Sequence, residues 1–389
     1  MSWNQRIQHA LQQRDEQHLR RRRVSLDSPQ QAMVEINGQQ LINFCSNDYL
    51  GLACEGGEAL AQAAHKWNLG SGASHLVCGH TQAHHELEQA LADYTGYPRA
   101  LLFSSGFMAN VGTIAALAQR GDLIFQDKLN HASLLDGAQL SRAKLLRYRH
   151  ADYTQLNNML ENATEDSGEK LIVSDSIFSM DGDLADVRQL SDIAEKHNAL
   201  LMIDDAHGLG ILGSKEKNQG NGVRDHFALT PEQLPVYVGT LGKALGGYGA
   251  FVAGSEELID YLIQFARPYI YTTALPPALA EAMLFNLELM RQPQRREQLT
   301  QHIRYFRQRA GEIDLPLMPS ESAIQPLLIG DADKALTLSE ALKQRGLWVS
   351  AIRPPTVPAG SARLRITLTA NHTREQIDAL LTALEQVMQ

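Results

Sequence analysis

The sequence predicts an α/β protein, with a mainly parallel sheet between helices in a large domain and a smaller α+β domain at the C-terminus. Two observations predict this class. Between about residues 50 and 280, short apolar runs alternate with longer helical patterns, as in parallel sheets covered on both faces. After about residue 285, long polar helices precede separate strands. We expect an N-terminal helix and arm over 1–49, the large domain over 50–284 and the C-terminal domain over 285–389.

The chain begins with an amphipathic pattern over residues 3–19, in which Trp3, Ile7 and Leu11 share one helical face. This helix runs into four arginines at positions 20–23. Such a run is either a solvent-exposed helix end or a site that contacts an anionic group of a substrate. We favour the first interpretation, because cations suit a helix C-terminus and charge runs are common on surfaces.

Apolar runs predict strands, and 3.6-residue periodicity predicts helices, along the rest of the chain. In the large domain, strands are expected at 100–103, 123–125, 171–174, 200–204, 236–240 and 250–253, with helices at 109–118 and 190–197 among the segments between them. In the C-terminal domain, a helix at 291–311 is followed by strands at 326–329, 348–351 and 363–369 and by a last helix at 373–387.

Composition argues against several classes of protein. The net charge of −9 argues against a nucleic-acid-binding protein. No apolar run follows the N-terminus as in a signal peptide, and no window approaches a membrane span. The three cysteines, Cys45, Cys54 and Cys78, are too few and too loosely spaced for a disulfide framework or a zinc site. We therefore expect a cytoplasmic protein that binds neither membranes nor nucleic acid.

Several polar residues follow the predicted strands directly. Active groups of open α/β sheets collect beyond the carboxyl ends of their strands, so we expect these side chains to converge. The set comprises Asp204, Asp205 and His207; Thr240 and Lys243; Asp175 and Ser179; and Ser104, Ser105 and Gly106.

Lys243 and Asp204 suggest a specific chemistry. Small residues surround Lys243 in the stretch GTLGKALGG, which would let a cofactor approach the backbone closely. A lysine there can form an imine once burial or its neighbours deprotonate it, although a surface lysine is the commoner case. Asp204 can pair with the protonated pyridine nitrogen of pyridoxal 5'-phosphate (PLP), or else cap a helix or form a structural ion pair.

Two further features are weaker. Residues 105–110, SGFMAN, lie between a strand and a helix, where free N–H groups suit a phosphate, but many strand–helix turns look the same. His131 can stack on a planar ring or carry a proton, although a lone histidine is more often structural.

Two other patterns have simpler interpretations. Residues 208–213, GLGILG, match a dinucleotide-binding pattern, but the polar residues after them do not predict the required helix. His80, His84 and His85 lack the spacing and the glutamate of a zinc protease. We expect them to face solvent from a helix, and we expect no metal site.

Taken together, the motifs resemble the α-oxoamine synthase family of fold-type-I PLP enzymes. The resemblance covers nearly the whole chain and is highly specific. Within the family, residues 351–369 resemble members that condense L-alanine with a pimeloyl thioester in biotin biosynthesis. The matching stretches are 43–52 (NFCSNDYLGL), 105–110, 130–133 (NHAS), 178–183 (FSMDGD), 204–208 (DDAHG) and 240–246 (TLGKALG).

The resemblance implies a role for each matching residue of the cofactor site. Lys243 would hold PLP as a Schiff base and remove the Cα proton of alanine, Asp204 would pair with the pyridine nitrogen, and His131 would stack on the ring. The other implied cofactor contacts are His207 and Ser179 to the ring 3-oxygen, Ser105, Gly106, Phe107 and Thr240 to the phosphate, and Thr272 or Thr273 from the second subunit of a homodimer.

The resemblance also implies a substrate site. Arg365 would clamp the alanine carboxylate with its guanidinium fork, and Asn47 would support the reacting groups. Arg21 and Thr356 would face the acyl thioester, carried by coenzyme A or acyl carrier protein, and Arg353 would also contact substrate.

Some positions depart from the family pattern. Leu209 stands where many relatives have Thr or Ser, and residues 72–75 read GASH instead of GGSR, which puts the loop details and the thioester contacts in doubt. Three alternatives remain: a sister synthase using glycine, serine or another acyl chain, a catalytically silent partner subunit, and a nicotinamide dehydrogenase. The presence of Lys243 argues against the second, and the poor context of the glycine pattern argues against the third.

Overall fold

A computed structural model describes residues 1–17, 19–21, 23–163, 168–214, 216 and 218–388. The strands in these ranges are β1 (Met33–Ile36), β2 (Gln39–Asn43), β3 (Arg99–Phe103), β4 (Leu123–Asp127), β5 (Lys144–Tyr148), β6 (Lys170–Asp175), β7 (Leu200–Asp204), β8 (Val236–Thr240), β9 (Ala250–Gly254), β10 (Ile324–Gly330), β11 (Leu347–Trp348), β12 (Ser350–Ile352) and β13 (Ala362–Thr367). The helices are α1 (Trp3–Glu16), α2 (Gly57–Trp67), α3 (Gln82–Thr95), α4 (Gly106–Leu117), α5 (Ala132–Ser141), α6 (Tyr153–Glu161), α7 (Val187–Lys196), α8 (Val223–His226), α9 (Glu256–Phe265), α10 (Arg267–Ile270), α11 (Pro277–Arg291), α12 (Pro293–Glu312), α13 (Ala332–Gln344) and α14 (Arg374–Met388), and a π-helical turn spans His75–Gly79.

The central sheet has seven strands in the order β3-β9-β8-β7-β6-β4-β5. All pairings from β8 to β5 are parallel, and β9 is antiparallel to both of its neighbours, which confirms the predicted mainly parallel sheet. Along β7, Leu201 and Ile203 belong to one apolar core, and Met202 belongs to the core on the other face. Successive side chains of a strand point to opposite faces of the sheet. Because both faces are covered here, residues 200–203 are all apolar and read as one continuous apolar run.

The C-terminal part forms a second layer of elements. Strands β10, β13 and β12 make an antiparallel sheet, and helices α12, α13 and α14 contact one another or its strands. Strand β11 instead pairs in parallel with β2, so the N-terminal arm and the C-terminal part share a three-stranded sheet. The division at residues 49 and 284 remains a prediction.

The structure corrects several predicted elements. Strand β5 was not predicted, because its sequence KLLRY mixes charged and apolar residues at the sheet edge. The helix expected over 291–311 is α12, but it begins at Pro293, because α11 ends at Arg291 and a proline can start a helix but cannot continue one from before it. The strand expected at 348–351 is divided between β11 and β12.

Helix α1 ends at Glu16, three residues before the predicted end, and none of its side chains is buried. Its apolar face is uncovered, with Trp3 75% and Ile7 53% exposed. Arg20 pairs with Asp15 at 2.6 Å, and Arg22 lies outside the described residues. No helix in the described ranges is long and apolar enough to cross a membrane.

The sheet register brings the predicted polar residues to one edge. Asp175 at the end of β6 stands opposite Asp204 at the end of β7, and Asp204 stands opposite Val238 of β8. The C-terminal layer reaches the same edge through β13, whose Arg365 donates from Nε to the carbonyl oxygen of Ser179, after β6, at 2.7 Å.

Candidate active site

The side chains beyond the sheet edge surround a cavity of about 210 Å³. Lys243 Nζ lies 2.9 Å from His207 Nε2 at its centre, which confirms that the residues after β7 and β8 converge. The cavity is lined by Gly106, Phe107, Asn110, His131, Ser133, Asp175, Asp204, Ala206, His207, Thr240 and Lys243.

Burial lowers the pKa of Lys243 from 10.5 to about 8, against the attraction of Asp204 and Asp175, which favours the ammonium form. An amine with this pKa has a substantial neutral fraction near pH 8. The neutral amine is both a nucleophile and a base, so Lys243 has the electrostatic properties required of an imine-forming lysine.

Asp204 presents its carboxylate to the cavity from the end of β7. Its Oδ2 accepts a hydrogen bond from Asn110 Nδ2 at 2.6 Å, and its Oδ1 accepts one from the backbone N–H of Ala206 at 2.9 Å. Burial, followed by the neighbouring Asp204, raises the pKa of Asp175 well above its ordinary value. The neutral form of Asp175 avoids placing two carboxylate charges side by side.

His207 belongs to a chain of hydrogen bonds that links Lys243 to Arg365. Its Nδ1 lies 2.5 Å from the hydroxyl of Tyr49, which donates to Asn47 Oδ1 at 3.3 Å. Arg365 Nη2 donates to the same Asn47 oxygen at 3.1 Å. Burial and the positive charge of Lys243 hold the pKa of His207 well below 6.5, so its imidazole is neutral.

His131 forms part of the wall between this cavity and a larger one. Its backbone N–H donates to Asp175 Oδ2 at 2.7 Å, and its Nδ1 lies 2.7 Å from the hydroxyl of Ser133. The first contact holds the backbone of His131, and the second orients its ring. The predicted stacking of His131 on a cofactor ring remains a prediction.

The beginning of α4 closes the other end of the cavity. Ser105 caps this helix, accepting the N–H of Met108 at 3.3 Å, and the other N–H groups of the first turn have no partner within the helix. Thr240 borders the same turn, because a Cβ added to Gly106 would lie 4.0 Å from its hydroxyl oxygen. This arrangement suits a phosphate group.

The residues present therefore fit PLP. The lysine amine, the carboxylate that would face a ring nitrogen and the N-terminal turn of α4 surround one cavity. Asn110 Oδ1 adds independent support, since it is buried without a partner within the described chain and can accept a hydrogen bond from a bound molecule.

The larger cavity, of about 610 Å³, combines apolar and basic residues. Arg21 and Thr356 lie in its wall, as the predicted acyl-thioester side requires. Ser179, predicted to contact the cofactor ring, lies in this wall and not in that of the smaller cavity, so its cofactor contact remains a prediction. The wall also contains Lys128, Leu129, Asn130, His131, Ala132, Leu135, Arg147, Met180, Asp181, Pro355, Val357, Pro358, Ser361 and Arg363.

Other predicted residues lie outside both cavities. Arg365 is nearly buried and donates from Nε to the carbonyl oxygen of Ser179 at 2.7 Å and from Nη1 to Thr367 Oγ1 at 2.9 Å. Thr272, Thr273 and Arg353 do not line either cavity of their own chain. Their predicted contacts remain predictions.

Sequence reasoning missed three contributors to the site, Tyr49, Asn110 and Ser133, whereas Asp175 was among the polar residues expected to converge. Each of the three lies within a matching motif, but its partner comes from another element, and sequence alone does not provide that pairing. One expectation was wrong, since His84 is fully buried. Among the described residues between 213 and α8, no helix follows the glycine pattern at 208–213.

Comparisons with known proteins agree with this site. Residues 39–384 match the family model for aminotransferase class I and II. The chain is 55% identical over 379 residues to an 8-amino-7-oxononanoate synthase from Pseudomonas savastanoi pv. phaseolicola, covering 97% of this chain and 94% of that protein.

Solved structures of PLP enzymes and of an 8-amino-7-oxononanoate synthase are also similar to this chain. A serine palmitoyltransferase variant from S. paucimobilis with bound PLP–myriocin has a TM-score of 0.91 at 29% identity, covering 98% and 96% of the two chains. The 8-amino-7-oxononanoate synthase from Francisella tularensis has a TM-score of 0.78 at 34% identity, covering 90% and 98%. This chain therefore belongs to the class I and II aminotransferase family of fold-type-I PLP enzymes and, within it, to the 8-amino-7-oxononanoate synthases.

Proposed function

We propose that the protein condenses L-alanine with a pimeloyl thioester, releasing CO2 and the free thiol and forming 8-amino-7-oxononanoate. The observation that carries the proposal is the pair of adjoining cavities that share His131. The smaller contains Lys243 and Asp204, as an amino-acid site requires. The larger has apolar walls for an acyl chain and basic groups for an anionic carrier or a terminal carboxylate.

PLP, when bound, supplies an electron sink for the pair of electrons left on the alanine Cα. Lys243 takes the proton from this carbon and later returns one, as its lowered pKa allows. Asp204, held by Asn110, would keep the ring nitrogen of the bound cofactor protonated. Neutral His207 accepts a hydrogen bond from Lys243 Nζ and so orients the amine.

The new carbon–carbon bond joins the alanine Cα to the thioester carbonyl carbon, and the thiolate leaves. The carboxylate that came from alanine then leaves as CO2, and its electron pair is protonated at Cα. Arg365 orients this carboxylate before the reaction, since a guanidinium carries five N–H donors and its three contacts here leave donors for a ligand. Its contribution is positioning.

The homodimer belongs to the same proposal. Thr272 and Thr273 lie outside their own chain's cavities, and the adjacent Tyr271 is 72% exposed. Phe107, beside the phosphate end, is 47% exposed. A second subunit would cover these apolar surfaces and receive the threonines near its phosphate. Sedimentation of the PLP-loaded protein tests this assembly, and a monomer at working concentration would contradict it.

Product identification tests the reaction. Alanine, pimeloyl-CoA and the PLP-loaded protein should give 8-amino-7-oxononanoate by mass spectrometry, and Lys243→Ala should give none. Parallel incubations with glycine or serine and with other acyl thioesters separate the sister synthases. Turnover of serine in place of alanine would overturn the proposed substrate, and activity retained by Lys243→Ala would overturn the proposed base.

A further inference from the structure

Three histidines form a cluster outside the active site. His75 lies in the π-helical turn, His80 follows that turn, and His84 lies in the first turn of α3. One ring nitrogen from each lies within 4.8 Å of those from the other two. The Nδ1 atoms of His75 and His80 are 2.9 Å apart, so one of them carries a hydrogen that the other accepts.

The outer ring nitrogens of two of the histidines face groups of the kind that hold metal-bound histidines, at hydrogen-bond distance for His84 and at a longer distance for His80. His84 Nε2 donates to the carbonyl oxygen of Leu275 at 2.5 Å, which leaves the lone pair on Nδ1. His80 Nε2 lies 4.0 Å from the carboxylate of Glu88, whose side chain is largely buried. A carbonyl or carboxylate on the remote nitrogen fixes the tautomer and orientation of a ligating imidazole.

The charge state of the cluster also suits a cation. Burial is the main cause that lowers the pKa of each ring, to about 3 for His75. All three imidazoles are therefore neutral near pH 7, which is the form that binds metal ions. His75 is further fixed by stacking on Tyr269, with ring centroids 5.0 Å apart.

We propose that His75, His80 and His84 bind a divalent ion of the zinc class through their Nδ1 atoms. Tetrahedral zinc with histidine ligands needs nitrogen atoms roughly 3.3 Å apart, so His75 and His80 separate slightly as the ion replaces their shared hydrogen. The ion also replaces the hydrogen bonds that Thr81 makes to His84 Nδ1 from its backbone N–H, at 3.0 Å, and its hydroxyl, at 2.9 Å. Water completes the coordination. This proposal is independent of the reaction proposed above.

Cobalt titration of the tag-free, PLP-loaded protein tests the site. Wild type should bind one Co²⁺ per chain with the visible d–d absorption of a tetrahedral ion, and Zn²⁺ should displace it. His80→Gln removes an exposed ligand and should weaken binding by at least ~10-fold. Glu88→Gln should weaken it by about 10- to 100-fold, as removal of an outer partner does.

His85→Gln is the matched control, because His85 is exposed on α3, the helix that carries His84, and does not belong to the cluster. It should bind Co²⁺ like wild type. The PLP absorbance of each variant reports its folding. This control does not depend on metal binding, so it can also be measured if His80→Gln binds no cobalt. The absence of a tetrahedral spectrum in wild type, or equal affinity in wild type and His80→Gln, would overturn the proposal.

Discussion

Replacing Tyr49 by Phe should lower the pKa of Lys243, although the two residues do not touch. The hydroxyl of Tyr49 donates to Asn47, so we assign the hydrogen between Tyr49 and His207 to His207 Nδ1. His207 Nε2 then keeps its lone pair and accepts a hydrogen bond from Lys243 Nζ. In the variant, Nδ1–H is left buried without an acceptor, at a cost of about 1–3 kcal/mol.

Moving the hydrogen to Nε2 relieves that cost, but it turns an N–H toward Lys243. The ammonium form of the lysine then loses an acceptor, and a hydrogen bond to a charged group contributes about 1.5–3 kcal/mol. Since 1.36 kcal/mol corresponds to one pKa unit, a loss at the lower limit moves the pKa of Lys243 from about 8 to roughly 7.

The rate at which the apoenzyme captures PLP reports this pKa, because only the neutral amine attacks the aldehyde. In wild type, the rate of visible absorbance increase should rise with pH through a midpoint near 8. In Tyr49→Phe, the midpoint should move to lower pH. Tyr94→Phe is the control, since that buried hydroxyl donates to the Gln219 carbonyl, away from the site. An unchanged or raised midpoint in Tyr49→Phe would refute the hydrogen-bond assignment.

Three further changes test other contacts. Asp204→Asn should bind PLP but lose turnover by about 10²- to 10⁴-fold, because an amide does not hold the ring nitrogen protonated; PLP content and product formation measure the two effects. Arg365→Lys should raise the KM for alanine by about 10- to 100-fold, since an ammonium lacks the bidentate fork; a KM near that of wild type would exclude the clamp. Arg363→Met should destabilise the holoenzyme by about 1–3 kcal/mol in denaturant unfolding, because it leaves the partly buried Asp181 without its partner at 2.6 Å, and adding Asp181→Leu should recover most of the loss.

The strands of the large domain were predicted well because burial on both faces gives them uninterrupted apolar sequences. Strands β7 and β8 have the predicted limits, and each ends at a polar residue that lines the cavity. Edge strand β5 lacks such a sequence, and charged residues interrupt its pattern. Helix limits depend on single residues, since α12 begins at Pro293, two residues after the start predicted from the polar pattern.

The active residues were easier to identify than their partners. Lys243 and Asp204 were recognisable from their positions after strands and from motifs. The pairing of Asp204 with Asn110 joins β7 to α4, and that of Tyr49 with His207 joins the N-terminal arm to the loop after β7. Such pairs depend on strand order and on packing between distant segments, which local sequence patterns do not contain.

Strand order also gives the cavity a direction. Asp175 and Asp204 lie at one end, on the adjacent strands β6 and β7, and the N-terminal turn of α4 lies at the other end, after β3. Strand β9 lies between β3 and β8 and runs antiparallel to both, so its first residue, and not its carboxyl end, lies at this edge. The carboxyl ends of β3 and β8 therefore border the phosphate end with no other carboxyl end between them. A ligand with an anionic group at one end and a protonated nitrogen at the other matches this polarity in a single orientation. In that orientation, Lys243, which lines the same cavity, would be the residue that meets the aldehyde group required for the proposed chemistry.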